Sequence, residues 1–151
     1  MTEPTHVLAD RWKRLGGALI DSLIAMAISF PVMLVGGVFR QIMEGERMTL
    51  GQQLFFFVFG LVVFLAVNGY LLAKQGQTVG KRLVGTRIVS HENGQILPFG
   101  RVFGLRYLPL FLISQVPFLG SLFALVDVLF IFREDHRCVH DLIAGTHVVE
   151  A

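Results

Sequence analysis

Residues 15 to 39, LGGALIDSLIAMAISFPVMLVGGVF, form an apolar run of membrane length that carries one aspartate and no other charge. At about 1.5 Å of rise per residue such a run crosses a hydrocarbon layer of about 30 Å with some tilt. Asp21 limits how it can do so. A carboxylate inside a spanning helix costs roughly 2.5 to 3.5 kcal/mol on insertion scales, so it must face protein, a water cavity or a cation. Arg14 stands two turns earlier, and Arg14, Ala18, Asp21, Ala25 and Ser29 share one stripe of a 3.6-residue helix. The stripe predicts an Arg14 and Asp21 charge pair on a small-residue face that another helix can approach closely. Leu19, Leu23, Ile24 and Met26 are left to meet lipid.

Composition agrees with a membrane chain. Of 151 residues, 54% are hydrophobic and 16% charged, against about 25% charged in soluble domains. The net charge of +2 is too small to argue for nucleic acid, and the basic residues flank apolar runs as topology signals and headgroup anchors. The lone cysteine, Cys138, excludes an intramolecular disulfide.

Along the chain, residues 1–10 are polar and expected to be loosely ordered. Arg11, Trp12, Lys13 and Arg14 make a basic, aromatic collar that puts the N-terminus in the cytoplasm. The collar and Ala25-x-Ala27 imitate a signal peptide, but the apolar run continues past Ala27, which argues against cleavage. Pro31 predicts a kink, and Gly36-Gly37 a weak far end. Arg40 to Gln53 has no positive bias and reads as the outer loop. Leu54 to Ala73 lacks any charge and is the clearest spanning helix, with Asn68 as a hydrogen-bonding packing contact.

The next loop holds Lys74, Lys81, Arg82, Arg87 and Arg101 against Glu92 alone, so it belongs inside. Its glycine-lysine segment is no nucleotide loop: only three residues separate Gly76 from Gly80, and Arg82 stands where a magnesium-binding hydroxyl is needed. Thr86 to Ser90, the Asn93-Gly94 turn and Gln95 to Phe99 predict a small cytoplasmic β-hairpin. Phe99 to Phe132 is too long for one simple span, and Gln115-Val116-Pro117 is a plausible break. A membrane hairpin broken there brings Arg106 and Asp127 to similar depth as a second pair. A single tilted span from near Leu108 is the alternative, with Arg106 at the interface. Gly85-Thr86-Arg87-Ile88-Val89 echoes Gly145-Thr146-His147-Val148-Val149, and the two segments can pair as strands if both lie on one side of the membrane. In the tail, His136, Cys138 and His140 alternate like metal ligands, but no second cluster completes a set without recruiting Asp141, and no metal site is expected. Asp141 is instead expected to cap a turn through Ala144 that Gly145 ends.

These stretches together resemble the RDD family of small bacterial membrane proteins, over nearly the whole chain after Asp10. The resemblance is carried by Arg14-Leu15 through Ala18-Leu19-Ile20-Asp21, by Gly76-Gln77-Thr78-x-Gly80-Lys81-Arg82 with Gly85-x-Arg87-Ile88-Val89, and by His140-Asp141-Leu142-x-Ala144-Gly145-Thr146-x-Val148-Val149. Arg14 and Asp21 match the first arginine and aspartate; the second aspartate is either Asp127 or Asp141. Gly16-Gly17 replaces bulkier residues and is expected to loosen the helix start. The resemblance implies a plasma-membrane protein and transport of unidentified ligands, with sodium-proton exchange suggested for some members.

The expected architecture is therefore an all-α membrane protein with two full spans, a third span or a C-terminal helical hairpin, and a small β-hairpin. Residues 11–151 form one transmembrane domain. Two functions compete. In one, an oligomer transports a monovalent cation or proton through intramembrane Arg and Asp pairs. In the other, the charges fix helix packing in a scaffold or accessory subunit that serves a membrane-protein partner. The expected surroundings are the lipid bilayer and a homo-oligomer or other membrane protein. No catalytic constellation and no cofactor motif is visible, so an enzyme is not expected.

Overall fold

A computed structural model describes residues 6–151 and is mostly helical. Two helices, α1 (Arg11–Val35) and α3 (Leu50–Gln75), are long and apolar enough to cross a membrane. Helix α1 runs through Pro31 and closes at Gly36 and Gly37, the latter at φ 70° where glycine is favoured. The loop expected to lie outside, residues 40–53, is partly helical, because α2 (Val38–Met43) runs into its start. Helix α3 starts four residues before the predicted span. There Thr49 and Gln52 form a capping box, Thr49 N donating to Gln52 Oε1 at 2.8 Å and Gln52 N to Thr49 Oγ1 at 3.3 Å. It ends at Gly76, whose φ of 63° and closeness to the Ile88 carbonyl leave no space for a side chain.

The short α4 (Val79–Leu83) lies across the start of α1. Gly17 and Gly80 make that approach possible: a Cβ on Gly80 would fall on the Gly17 carbonyl oxygen and 2.8 Å from Asp21 Cγ. Gly16-Gly17 therefore does not loosen α1; Gly17 lets α4 dock on it. The face left outward carries Leu19, Leu23 and Met26, as predicted for lipid, whereas Ile24 turns inward.

Strand β1 (Thr86–Ser90) pairs antiparallel with β2 (Thr146–Glu150), the echoed segment, from Thr86 opposite Glu150 to Ser90 opposite Thr146. The predicted β-hairpin is thus corrected. Gln95 to Phe99 forms no strand: one edge of β1 pairs with a segment far along the chain, on the other edge Ile88 N donates to Gly76 O at 2.7 Å, and Asn93-Gly94 makes only a local turn closed by Ser90 and Gln95. Residues 7–10 are ordered, contrary to expectation. Ala9 N donates to Val148 O at 3.0 Å and Glu150 N to Val7 O at 3.0 Å, so the N-terminal segment lies along the free edge of β2. Residues 1–5, the remainder of that expectation, lie outside the described residues.

Between the strands, α5 (Phe99–Val102), a π-helical turn (Phe103–Tyr107) and α6 (Leu108–Ser114) run into one another. Pro109 has no N–H to donate to Leu105, and Leu108 N reaches back to Phe103 O instead. The chain breaks at Gln115 to Phe118, as predicted, and returns through α7 (Leu119–Leu129) and a 3₁₀ turn (Phe130–Phe132). At about 1.5 Å per residue the arms are about 24 and 21 Å long, each short of a full crossing. Helix α8 (Val139–Ala144) then leads through Gly145, at φ 65°, into β2. The buried apolar core of Ala9, Leu72, Ile88, Leu97, Val102 and Val148 sits under the β-ribbon, not between the long helices.

The Gly17 and Gly80 contact is directly testable. Gly80→Ala should lower stability by about 1 to 3 kcal/mol through forced separation of α1 and α4. Gly100→Ala, where a Cβ meets open space, should be neutral or stabilising by up to about 1 kcal/mol. Thermal unfolding of both variants in detergent measures the contrast.

Candidate functional site

Asp141 lies fully buried on the first turn of α8, and four donors converge on its carboxylate. Arg14 Nη2 reaches Oδ2 at 2.5 Å and the Cys138 amide reaches the same oxygen at 3.1 Å. Arg106 Nη1 binds Oδ1, to which the Thr146 hydroxyl also donates at 3.1 Å. Arg106 Nη1 donates to Thr146 Oγ1 as well, at 2.7 Å. One carboxylate thus clamps α1, the π-turn and the α8–β2 junction. Asp141 does cap α8, from its third position, while holding two arginines. The π-turn matters here: it carries Arg106, which is 2% exposed.

The predicted pairs are corrected accordingly. Arg14 does not pair with Asp21; two helical turns separate them by about 10 Å along the axis, whereas Asp141 is packed directly against Arg14. Arg106 does not pair with Asp127, although both reach the same end of the hairpin. Asp127 is taken by His140, whose backbone N donates to Oδ1 at 3.0 Å and whose Nδ1 lies 2.6 Å from Oδ2. Burial above all, then Arg106, lowers the His140 pKa to about 4, so its ring is neutral near pH 7. Cys138 Sγ accepts from Arg14 Nη2 at 3.7 Å, and its buried thiol is pushed above the ordinary range.

Asp21 belongs to a different construction, made by the Gly76 to Arg82 motif. Asn68 Oδ1 accepts from Val79 N at 2.9 Å, Asp21 Oδ1 from Gly80 N at 2.8 Å, and Thr78 Oγ1 from Lys81 N at 3.3 Å. Three orphan amides of α4 are satisfied in succession. Thr78 Oγ1 in turn donates to Asp21 Oδ2 at 2.5 Å, and Gln77 Nε2 binds Thr86 O at 2.8 Å, tying the motif to β1. Lys81 is buried without an ion-pair partner among the described residues, and burial holds its pKa below the usual range; Arg82 is exposed. Of the small-residue stripe, Ala18 is exposed, while Ala25 and Ser29 line a cavity of about 120 Å³ between α1, α3 and α6. Asp21 and Asn68 also line it, with Phe64 and Phe111 among the apolar walls.

The RDD family model matches residues 8–145, which include every charged group of this lattice. The chain belongs to the RDD family. Its similarity to YckC of Bacillus subtilis is 32% identity over 144 residues, covering 95% of this chain and 85% of that protein. A protein of Haemophilus influenzae is 29% identical over 117 residues, 78% of this chain and 71% of its own length. Both relatives are described as uncharacterized. No solved structure matches. Family membership and two long apolar helices together fit a membrane protein. Of the two candidates for the second RDD aspartate, Asp141 is the partner of both arginines and Asp127 the partner of His140. The convergence of Asp127, Cys138 and His140 was not legible from spacing, since Asp127 joins from another helix.

Asp141→Asn should be the most damaging of the aspartate substitutions. It leaves two buried guanidinium groups under-compensated, at a cost of about 3 to 5 kcal/mol, while Asp21→Asn, which keeps an acceptor for Gly80 N, should cost about 1 to 2 kcal/mol. Unfolding midpoints of the two variants check the order. A pH effect is expected at the ribbon. His147 is lowered to about 4 by burial first, then by His91 and Arg137. Between that value and about 6.5 the unfolded chain binds more protons, so stability should rise with pH in this window and fall on acidification. His147→Gln should flatten the midpoint against pH.

Proposed function

We propose that this RDD protein works in the bacterial plasma membrane as an oligomer that moves a monovalent cation or proton through Asp21. The observation that carries the reading is the position of Asp21 at a cavity between α1, α3 and α6 whose other polar walls are Ser29 and Asn68. Arg14 and Arg106 are both paired to Asp141 and serve as the lock that holds the site. Asp21 has no cationic partner among the described residues and accepts only neutral donors, Thr78 and Gly80. A proton on Oδ2 of Asp21 turns that oxygen from acceptor into donor; the Thr78 hydroxyl can then accept from it, while Oδ1 keeps the Gly80 amide. The carboxylate can therefore change its charge at the contact between α1 and α4 without losing a hydrogen-bond partner. Two spans and a short hairpin are too few to enclose a path, so copies must associate. The positive loop after α3 puts the ribbon, and with it both chain ends, on the cytoplasmic side, and Phe99 to Phe132 enters the membrane as a re-entrant hairpin. No catalytic step is part of this reading.

A second reading has its own support. Asp21, Asp127 and Asp141 are all bonded within the chain, which is what a rigid scaffold or accessory subunit requires. Purified protein in liposomes under an imposed pH gradient separates the two. Transport predicts dissipation on adding sodium or potassium, lost in Asp21→Asn at normal insertion. Correctly inserted wild-type protein that dissipates nothing, across a range of pH and with both ions, would leave the scaffold.

A further inference from the structure

We propose that Asp127, Cys138 and His140 form a binding site for a zinc-type divalent metal ion, with one carboxylate, one thiolate and one imidazole ligand and the fourth position left to water. One donor atom from each residue lies within 4.8 Å of the other two. In a tetrahedral site with metal bonds of about 2.0 to 2.3 Å, neighbouring donors stand about 3.3 to 3.8 Å apart. The present spacing therefore needs a side-chain adjustment of about 1 Å. It falls mainly on the pair of His140 Nδ1 and Asp127 Oδ2, which must open from 2.6 Å.

The chemistry of the donors selects the ion. Thiolate and imidazole favour zinc or cobalt over magnesium or calcium, and three protein ligands with one water make an open site. The ligand charges, one on Asp127 and one on the Cys138 thiolate, cancel a divalent cation, so the filled site is neutral where low polarity penalises net charge. Proton balance is simple. The metal takes the place of the proton between Nδ1 and Oδ2, which moves to Nε2; the Cys138 thiol proton leaves to solvent; one proton is released per ion.

Surrounding bonds hold the donors in place. The His140 amide fixes Asp127 Oδ1, and Arg14 Nη2 faces Cys138 Sγ, where it favours the thiolate. The sequence pattern pointed to His136 as a third ligand, but that ring is engaged by Arg11 and the Ala9 carbonyl. Asp127, from α7, replaces it. A bound ion would tie the returning arm of the hairpin to α8 at the lattice of Asp141.

The test is titration of tag-free, full-length protein in detergent with Co²⁺ alone. Cys138 is the chain's one cysteine, so a thiolate-to-cobalt charge-transfer band in the wild type identifies its ligation without any variant. The expected result is one ion per chain, that band, release of about one proton per ion and displacement by Zn²⁺. Cys138→Ser should abolish the band, and Asp127→Asn should weaken binding by about tenfold or more. If the variants do not fold, the wild-type band and proton count decide. A folded wild type with no such band overturns the proposal. So does binding that lacks the band and disappears in His147→Ala, because His91 and the half-buried His147, whose Nδ1 atoms lie 3.3 Å apart, would then be the site.

Discussion

Two guanidinium groups can be buried at one end of this protein only because Asp141 stands between them. Removing a cation from water costs several kcal/mol, and one carboxylate cannot compensate two cations by charge alone. The Thr146 hydroxyl and the Cys138 amide complete the bonding around the carboxylate, and both come from the same short stretch as Asp141. The local order Cys138, Asp141, Gly145, Thr146 thus packs an anion and its supporting donors into one turn and one strand start. Arg14 and Arg106 bring the first helix and the hairpin to it. Elsewhere the long helices show most of their apolar surface outward, so the tertiary structure is held chiefly from this end.

That arrangement sorts the charged residues by task. The lattice of Arg14, Arg106 and Asp141 is closed on itself, and closed charges are poor carriers because moving any one leaves the others unpaired. Asp21 differs. Its donors are a hydroxyl and an amide, which tolerate a change of charge on the carboxylate better than a fixed arginine does. It is also placed where α1, α3 and α6 leave space, beside two further polar side chains. The ion site proposed at Asp21 and the lock for helices would therefore coexist within one short motif set without sharing a carboxylate.

The apolar runs made both long helices legible, and the position of the hairpin break followed from Pro117 and its neighbours. The echo of Gly85 to Val89 in Gly145 to Val149 gave the strand pairing. The competing signal, Asn93-Gly94, was real as a turn but misled as a hairpin, since a strand takes the partner that buries its face and Val148 and Val149 do this better than Gln95 to Phe99. Ion-pair partners were not legible. Helical spacing predicts neighbours on one helix, as with Arg14 and Asp21, but is silent about a residue such as Asp141 brought in from the far end of the chain. Gly17 and Gly80 were read separately, and only their meeting explains why both are glycine.

The antiparallel pairing of β1 with β2, flanked by residues 7–10, has a consequence for biogenesis. Helix α1 and the following loops leave the ribosome long before α8 and β2 exist. During that interval Arg14 has no Asp141 to bind, and the edge of β1 is open. Membrane insertion of the two long helices must then be settled by their own apolar length and flanking charges, with the lattice closing only as α8 and β2 emerge. Strand β2 acts as a fastener applied after the long helices are made, and the state before it closes is the one that chaperones and proteases of the membrane would meet.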